Sequence, residues 1–266
     1  MSPPRGSQPQ RPSSPPLYDS PEIYDVAFGW DLELELGFVE SCLRKHMADP
    51  VVRLLEPACG TGRILSALAS RGYEVLGYDL SPEMVAFASA KLARSGGQVM
   101  RGDMATFRPP GRFDAAINLV NSIGYLLEES AIASHLECVG EALVPGGVYL
   151  VQLSYGGEPP EQASFGPWPN ARAGLRTELT WRVAREDPEA RRSYQECRIV
   201  ARRGAEQRVI EESHVLRYWT QEDFDRIVEG SPFELAAVYF DRFEEKPLGE
   251  PRAGTDGNLY HVLSRR

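Results

Sequence analysis

Long apolar stretches are missing from this sequence. No run of 18 apolar residues occurs in its 266 residues, so we expect no membrane-spanning helix. The first residues also lack the apolar centre of a secretory signal, and six of the first 16 are proline. This composition predicts a disordered tail over residues 1–20 and a cytoplasmic protein without a membrane partner.

Basic clusters and metal-ligand patterns are missing too. The net charge is −9 and no long basic run occurs, which argues against a nucleic-acid partner. The four cysteines form no C-x-x-C pair and the four histidines are scattered, so we expect reduced thiols and no metal site. The remaining composition, 42% hydrophobic and 25% charged, is that of an ordinary globular domain.

The chain does contain an apolar strand pattern that leads directly into a loop of small residues. Residues 51–56 end in Glu56, the loop Pro57–Gly62 follows, and a helical pattern begins at Arg63. This order predicts the first strand–loop–helix unit of a parallel α/β sheet, where ligands bind at the carboxyl ends of the strands. A dinucleotide fingerprint would need a third glycine where Leu65 stands, and Glu56 would repel a pyrophosphate. An NAD-type oxidoreductase is therefore the less favoured alternative.

Residues 56–63 resemble motif I of the class I S-adenosylmethionine (SAM)-dependent methyltransferases, in which an acid precedes spaced small residues. Ala58 stands where the family usually has its first glycine. SAM carries a sulfonium and an ammonium group, which a nearby carboxylate tolerates or prefers. The resemblance implies that SAM is the cofactor and that it is bound by Glu56, Ala58, Gly60 and Gly62.

Asp79 ends a second strand pattern, Tyr73–Asp79, and lies 19 residues beyond Gly60. This is close to the spacing of about 20 residues at which an acid binds ribose hydroxyls in nucleotide-binding sheets. A carboxylate accepts hydrogen bonds from both hydroxyls. We therefore predict that Asp79 binds the ribose, with a solvated acid at a strand end as the alternative.

Two more strand ends match the same family. The resemblance implies that Asp103 and the backbone N–H of Met104 bind the adenine, with Leu80 and Met104 on its two faces. It also implies that Asn118 to Asn121, at the end of the fourth strand pattern Phe113–Leu119, line the methionine end of the cofactor. A simple turn acid is the alternative for Asp103, because Gly-Asp is frequent in turns.

Alternating apolar and polar residues predict three strands late in the chain, over Leu175–Val183, Tyr194–Arg202 and Arg208–Trp219. The predicted fold class is therefore α/β: a Rossmann-like seven-stranded methyltransferase sheet with helices on both faces and an inserted three-stranded antiparallel cap. The cap is expected within residues 155–217 and the methyltransferase domain over 21–266. We expect a loop over residues 155–172 and solvent-facing charges on the cap, Glu212 among them.

Residues 21–48 are predicted to form N-terminal lid helices. Tyr24 belongs to a Tyr-Asp pair frequent in the family and either contacts the cofactor or only packs the lid. A cap of this kind implies a closed pocket and a small-molecule acceptor, methylated on N or O. His214 and Tyr125 are candidates for a catalytic base, but the pattern assigns no catalytic residue. A non-catalytic SAM-binding protein remains an alternative, and the oligomeric state is undetermined.

Overall fold

The computed structural model describes residues 17–155, 164–240, 244–246, 248 and 258–266. The described helices are α1 (Pro21–Ala27), α2 (Glu33–His46), α3 (Arg63–Ser70), α4 (Pro82–Leu92), α5 (Glu129–Ala142) and α6 (Gln221–Glu229), with a short 3-10 helix over Ser122–Tyr125. The strands are β1 (Arg53–Pro57), β2 (Glu74–Asp79), β3 (Gln98–Arg101), β4 (Phe113–Asn118), β5 (Leu143–Ser154), β6 (Ser164–Arg172), β7 (Leu175–Asp187), β8 (Arg192–Arg203), β9 (Glu206–Arg217), β10 (Phe233–Phe240), β11 (Glu244–Lys246) and β12 (Asn258–Arg265).

Two sheets organise these elements. The core sheet has eight strands in the order β11-β10-β12-β5-β4-β1-β2-β3, and the cap sheet has four in the order β6-β7-β8-β9. Strands β1 to β5 are parallel. The chain order reverses between β1 and β4, which places the crevice for ligands at the carboxyl ends of these two strands.

Helices cover both faces of the core sheet. On one face, α2, α3 and α4 contribute buried residues to one apolar cluster with the sheet. On the other face, α5 and α6 contribute to a second cluster. The central strands are buried on both sides, which explains why their sequences are nearly continuous apolar runs. The predicted Rossmann-like fold class is confirmed.

The numbers of strands differ from the prediction. The core sheet gains an eighth strand among the described residues because β11 pairs antiparallel with the end of β10. The cap sheet has four strands because Ser164–Arg172, predicted to be part of a loop, pairs with β7. Its two prolines are tolerated because β6 is an edge strand, where a missing backbone donor breaks no central ladder. Residues 156–163 of the predicted loop lie outside the described residues.

The N-terminal boundary also needs correction. Residues 1–16 lie outside the described part, but residues 17–20 are packed against the protein rather than part of a tail. Leu17 is fully buried, and it joins Phe28 of the following segment in an apolar cluster with the cap sheet. We call residues 17–30 the lid segment. Among the described residues, no helix is both long enough and apolar enough to cross a membrane.

Candidate active site

The loop after β1 is held in a left-handed backbone conformation. Ala58, Gly60 and Gly62 have φ values of 53°, 53° and 67°. A Cβ atom at Gly62 would lie 3.1 Å from the Cβ of Ala88 and 3.0 Å from a methyl group of Leu92. The glycine therefore permits both the backbone conformation and the close packing of the loop against α4. Ala58 adopts a positive φ as well, which a non-glycine residue does only at a cost.

Asp79 is tied to this loop. One carboxylate oxygen, Oδ2, accepts a hydrogen bond of 2.8 Å from the backbone N–H of Gly60. The other, Oδ1, accepts one of 3.0 Å from the N–H of Ser81. Burial raises the pKa of Asp79, and these backbone hydrogen bonds oppose the rise. Because a carboxylate can accept about four hydrogen bonds, Asp79 retains acceptor positions for a ligand after fixing the loop.

Glu56 lies at the end of β1 and is only 5% exposed. Burial raises its pKa to about 8, the nearby Asp79 adds to the rise, and the guanidinium of Arg63 opposes it. Its Oε2 atom is buried and has no hydrogen-bond partner among the described residues. Glu56 is therefore mostly protonated near pH 7, and a cationic ligand beside it would favour the ionised form.

A narrow cavity of about 40 Å³ lies over these groups. Three aromatic residues of the lid segment, Tyr24, Phe28 and Trp30, line it together with Glu56 and the loop. Tyr24 stacks on Phe28 with ring centroids 4.3 Å apart. The lid segment is thus folded down onto the crevice. The structure brings Tyr24 to the predicted site, and its contact with a cofactor remains a prediction.

The end of β4 completes the cavity through two residues of the predicted range Asn118–Asn121, namely Leu119 and Val120. The side chain of Asn118 donates to the Pro57 carbonyl at 2.9 Å and accepts from the N–H of Ile123 at 3.1 Å. It is buried and binds the ends of β1 and β4 together, so Leu119 and Val120 line the cavity instead. Val120 has a φ of 59°, a strained conformation for a β-branched residue of the kind that clusters at functional sites.

The predicted adenine-binding residues lie beside Asp79. The N–H of Gly102 donates to the carbonyl of Asp79, which brings the loop carrying Asp103 and Met104 next to it. One Asp103 oxygen accepts from the Ala105 N–H at 2.9 Å, as in a turn. Leu80 is 57% exposed, whereas Met104 is half-buried. These positions are compatible with an adenine site, and their roles remain predictions.

The two candidate bases form a connected group below the cap sheet. The hydroxyl of Tyr125 lies 2.9 Å from Nδ1 of His214 and 2.6 Å from the hydroxyl of Tyr18. His214 stacks on Trp181, with ring centroids 5.0 Å apart. Burial lowers the pKa of His214 to about 4, so the imidazole is neutral near pH 7. We call Tyr18, Tyr125, Trp181, Glu212 and His214 the polar cluster.

Glu212 belongs to this cluster and not to the solvated face predicted for it. Its side chain is 6% exposed, and its Oε1 lies 4.0 Å from Nδ1 of His214. Its Oε2 accepts from the N–H of Leu17 at 3.0 Å, and burial raises its pKa. Oε1 of Glu212 and Nε2 of His214 are buried without hydrogen-bond partners among the described residues. Such atoms are costly unless a ligand or water satisfies them.

The polar cluster borders the cavity. Ser122 lines the cavity and Tyr125 ends the same 3-10 helix, while the ring centroids of Tyr18 and Tyr24 are 5.9 Å apart. Tyr18 and Trp181 were not predicted as site residues, because Tyr18 lies in the predicted tail and Trp181 lies in a predicted strand whose pattern does not single it out. The strand period could have found Glu212, since residues two apart in β9 share one face.

Metal chemistry has no visible support here. Within the described ranges, no group of three or more His, Cys, Asp or Glu residues is arranged to hold a metal ion. The four cysteines are all buried and unpaired. The cavity and the polar cluster contain carboxylates, backbone groups, aromatic rings, the guanidinium of Arg63 and one neutral imidazole.

Comparison with known proteins agrees with this arrangement. Residues 54–147 match the family model of the methyltransferase domain. Over 103 residues the chain is 36% identical to the putative methyltransferase YqeM of Bacillus subtilis, which covers 38% of this chain and 42% of YqeM. Over 99 residues it is 32% identical to dTDP-3-amino-3,4,6-trideoxy-alpha-D-glucopyranose N,N-dimethyltransferase of Streptomyces venezuelae, covering 37% and 41% of the two chains. These matches span less than half the length of the curated relatives.

Solved structures resemble the chain over nearly its full length. SAM-bound CalS10, described as an amino pentose methyltransferase of Micromonospora echinaspora, is 25% identical with a TM-score of 0.68, covering 90% of this chain and 93% of CalS10. The sugar N-methyltransferase KedS8 of a Streptoalloteichus species shares the fold at 23% identity and a TM-score of 0.73, covering 100% and 99%. Residues 54–147 therefore resemble a methyltransferase domain, the chain has the fold of SAM-dependent methyltransferases, and the predicted resemblance is confirmed.

Proposed function

We propose that this protein transfers a methyl group from SAM to a nitrogen atom of a small-molecule acceptor, with amino sugars as the first class to test. The observation that carries the proposal is the convergence of Glu56, the glycine loop and Asp79 beneath the lid segment, beside the polar cluster of the cap. The amino-sugar methyltransferases among the similar proteins support a nitrogen acceptor. A site covered by the lid segment and the cap suits a small molecule rather than a macromolecule.

The cofactor end of the site requires no covalent chemistry from the protein. Asp79 offers acceptor positions to the ribose hydroxyls, and Glu56 offers a buried carboxyl near the expected sulfonium and ammonium. The glycine loop permits close approach of the ligand. Displacement at a sulfonium depends on holding nucleophile, methyl carbon and sulfur in line, and such positioning contributes roughly 7–11 kcal/mol.

The acceptor end would be formed by the polar cluster. A primary or secondary amine attacks only as the free base, because a protonated amine has no lone pair. Neutral His214 and the hydroxyl of Tyr125 can accept a hydrogen bond from the amine and orient its lone pair. Glu212 presents a buried oxygen without a partner, which an N–H donor would satisfy. Where the amine binds as an ammonium ion, its proton passes to the carboxylate of Glu212, which leaves the free amine, and general-base catalysis of this kind contributes typically ~10²–10⁴ in rate.

The direct test is incubation of the purified protein with SAM and a panel of small amines and alcohols of matched size, including nucleotide-linked amino sugars. We expect S-adenosylhomocysteine (SAH) and a product heavier by one methyl group with amines but not with the matching alcohols. Mass spectrometry identifies both products. Methylation of the alcohols alone would overturn the nitrogen assignment. Tight SAM binding without turnover across the panel would favour the non-catalytic alternative, and failure to bind SAM would overturn the proposal.

A further inference from the structure

Asp25 is a buried charge whose role the proposed chemistry does not explain. It lies on α1, directly after Tyr24, and only 1% of it is exposed. One carboxylate oxygen pairs with Nζ of Lys91 and the other with the guanidinium of Arg172. The hydroxyl of Thr61 is a third hydrogen-bond partner. A carboxylate at this depth needs such partners, because an unpaired buried charge is strongly unfavourable.

The three partners come from three different parts of the molecule. Thr61 belongs to the glycine loop of the candidate cofactor site, Lys91 to α4, and Arg172 to β6 of the cap sheet. Asp25 itself belongs to the lid segment, between cavity-lining Tyr24 and Phe28. One side chain therefore joins the lid, the cofactor loop and the cap.

The surroundings of Asp25 keep its carboxylate ionised. Burial by itself would raise the pKa of Asp25, but hydrogen bonds and charges from Lys91, Thr61 and Arg172 outweigh it and lower the pKa. The carboxylate is therefore ionised throughout the neutral pH range. Moving α1 away from the loop would separate it from all three partners at once.

We infer that Asp25 is a positioning residue that latches the lid segment to the cofactor loop and the cap, and that this latch must open for a ligand to leave the cavity. The inference rests on the proposed function only for the identity of the ligand. The cavity under the lid segment holds about 40 Å³, whereas small-molecule pockets usually hold about 300–1,000 Å³. Ligand exchange therefore requires the lid segment to move outward, and the latch sets how often that occurs.

The test compares Asp25→Asn with Glu22→Gln. Glu22 lies on the same helix and pairs with Arg203 of the same cap sheet, but this ion pair is half exposed on both sides. Stopped-flow displacement of SAH by excess SAM gives the dissociation rate. Because removing one partner of a buried ion pair is far more costly than breaking an exposed one, we expect Asp25→Asn to raise the rate at least about tenfold and Glu22→Gln to change it less than about twofold.

The outcomes separate this inference from the proposed function. If the unmodified protein does not bind SAH, the proposed function fails. If it binds SAH and folded Asp25→Asn releases it at the same rate, the latch is wrong and Asp25 is only structural. Should Asp25→Asn fail to fold, Arg172→Gln removes the cap contact from a side chain that is 53% exposed. An unchanged dissociation rate for that variant would likewise overturn the coupling between cap and lid.

Discussion

The carboxyl end of the core sheet and the inner face of the cap sheet both hold buried carboxylates, but they hold them by different means. Asp79 accepts hydrogen bonds from backbone groups of Gly60 and Ser81, which lie close to it in the crevice. Glu212 is held by the N–H of Leu17, which is 195 residues away in sequence. The core site depends on loop conformation, whereas the polar cluster depends on long-range packing of the lid segment against the cap.

This difference suggests that the two regions serve different parts of the proposed reaction, cofactor binding and acceptor binding. Backbone conformation at the ends of β1 and β2 shapes the proposed cofactor site, and side chains from the cap and the lid segment shape the proposed acceptor site. Changes in the core should therefore alter cofactor binding, and changes in the polar cluster should alter turnover with little effect on cofactor binding.

The largest effect should follow from Gly62→Val. Valine at a φ of 67° is strained, and its Cβ would press against Ala88 and Leu92. We expect no measurable SAM binding by calorimetry. Gly37→Ala is the matched control, since a Cβ at Gly37 in α2 meets nothing within 4 Å. Normal SAM binding by folded Gly62→Val would show that this loop is not the cofactor site.

The next effect concerns the polar cluster. His214→Phe preserves the ring that stacks on Trp181 but removes both nitrogen atoms, so we expect kcat to fall by about 100-fold and the SAM affinity to change little. Exposed Glu211→Gln, one strand position from Glu212, is the control. If His214→Phe lost SAM affinity and kept its kcat, the proposed separation between cofactor binding in the core and turnover in the polar cluster would be wrong.

Asp79→Ala should weaken SAM binding at least about tenfold, because the ribose hydroxyls and the Gly60 N–H would lose an acceptor, at a cost of about 1–3 kcal/mol. Calorimetry measures the affinity, and a melting temperature measured alongside it reports whether the loop remains folded. Asp79→Asn retains one acceptor oxygen, so its SAM affinity should lie between those of the unmodified protein and Asp79→Ala. An unchanged affinity for Asp79→Ala would refute the ribose assignment.

The smallest effect is a pH dependence. With a pKa of about 8 in the free protein, Glu56 is mostly protonated at pH 7, and a cationic ligand that ionises it must displace this proton. Binding therefore releases a proton and weakens as the pH falls below 8, by about fivefold between pH 8 and pH 7. Glu56→Gln should flatten this profile. A profile with the same slope in both proteins would exclude Glu56 as the titrating group.

The predictions were correct where an element is formed by residues that are close together in the sequence. The strand–loop–helix pattern at residues 51–65, the acid at the end of β2 and the three alternating runs of the cap were all placed correctly. The predictions were wrong where strand pairing or packing between distant segments gave a structure that the local amino-acid composition did not suggest. The Pro-containing segment Ser164–Arg172 is an edge strand rather than a loop, and Leu17, which belongs to the predicted tail, is a core residue. Within the range Asn118–Asn121 predicted to line the cofactor, the amide of Asn118 binds the ends of β1 and β4 together, whereas Leu119 and Val120 line the cavity.

Neighbouring residues were enough to predict the methyltransferase resemblance, the ends of the first four strands and the glycine loop, because each depends on short segments and on backbone conformations that few residue types allow. Which charges are buried depends on tertiary packing. Asp25 meets Lys91 and Arg172 from 66 and 147 residues away, and Glu212 turns inward because the lid segment covers that face of the cap. Such contacts depend on how sheets and helices pack, and no local pattern in the chain records them.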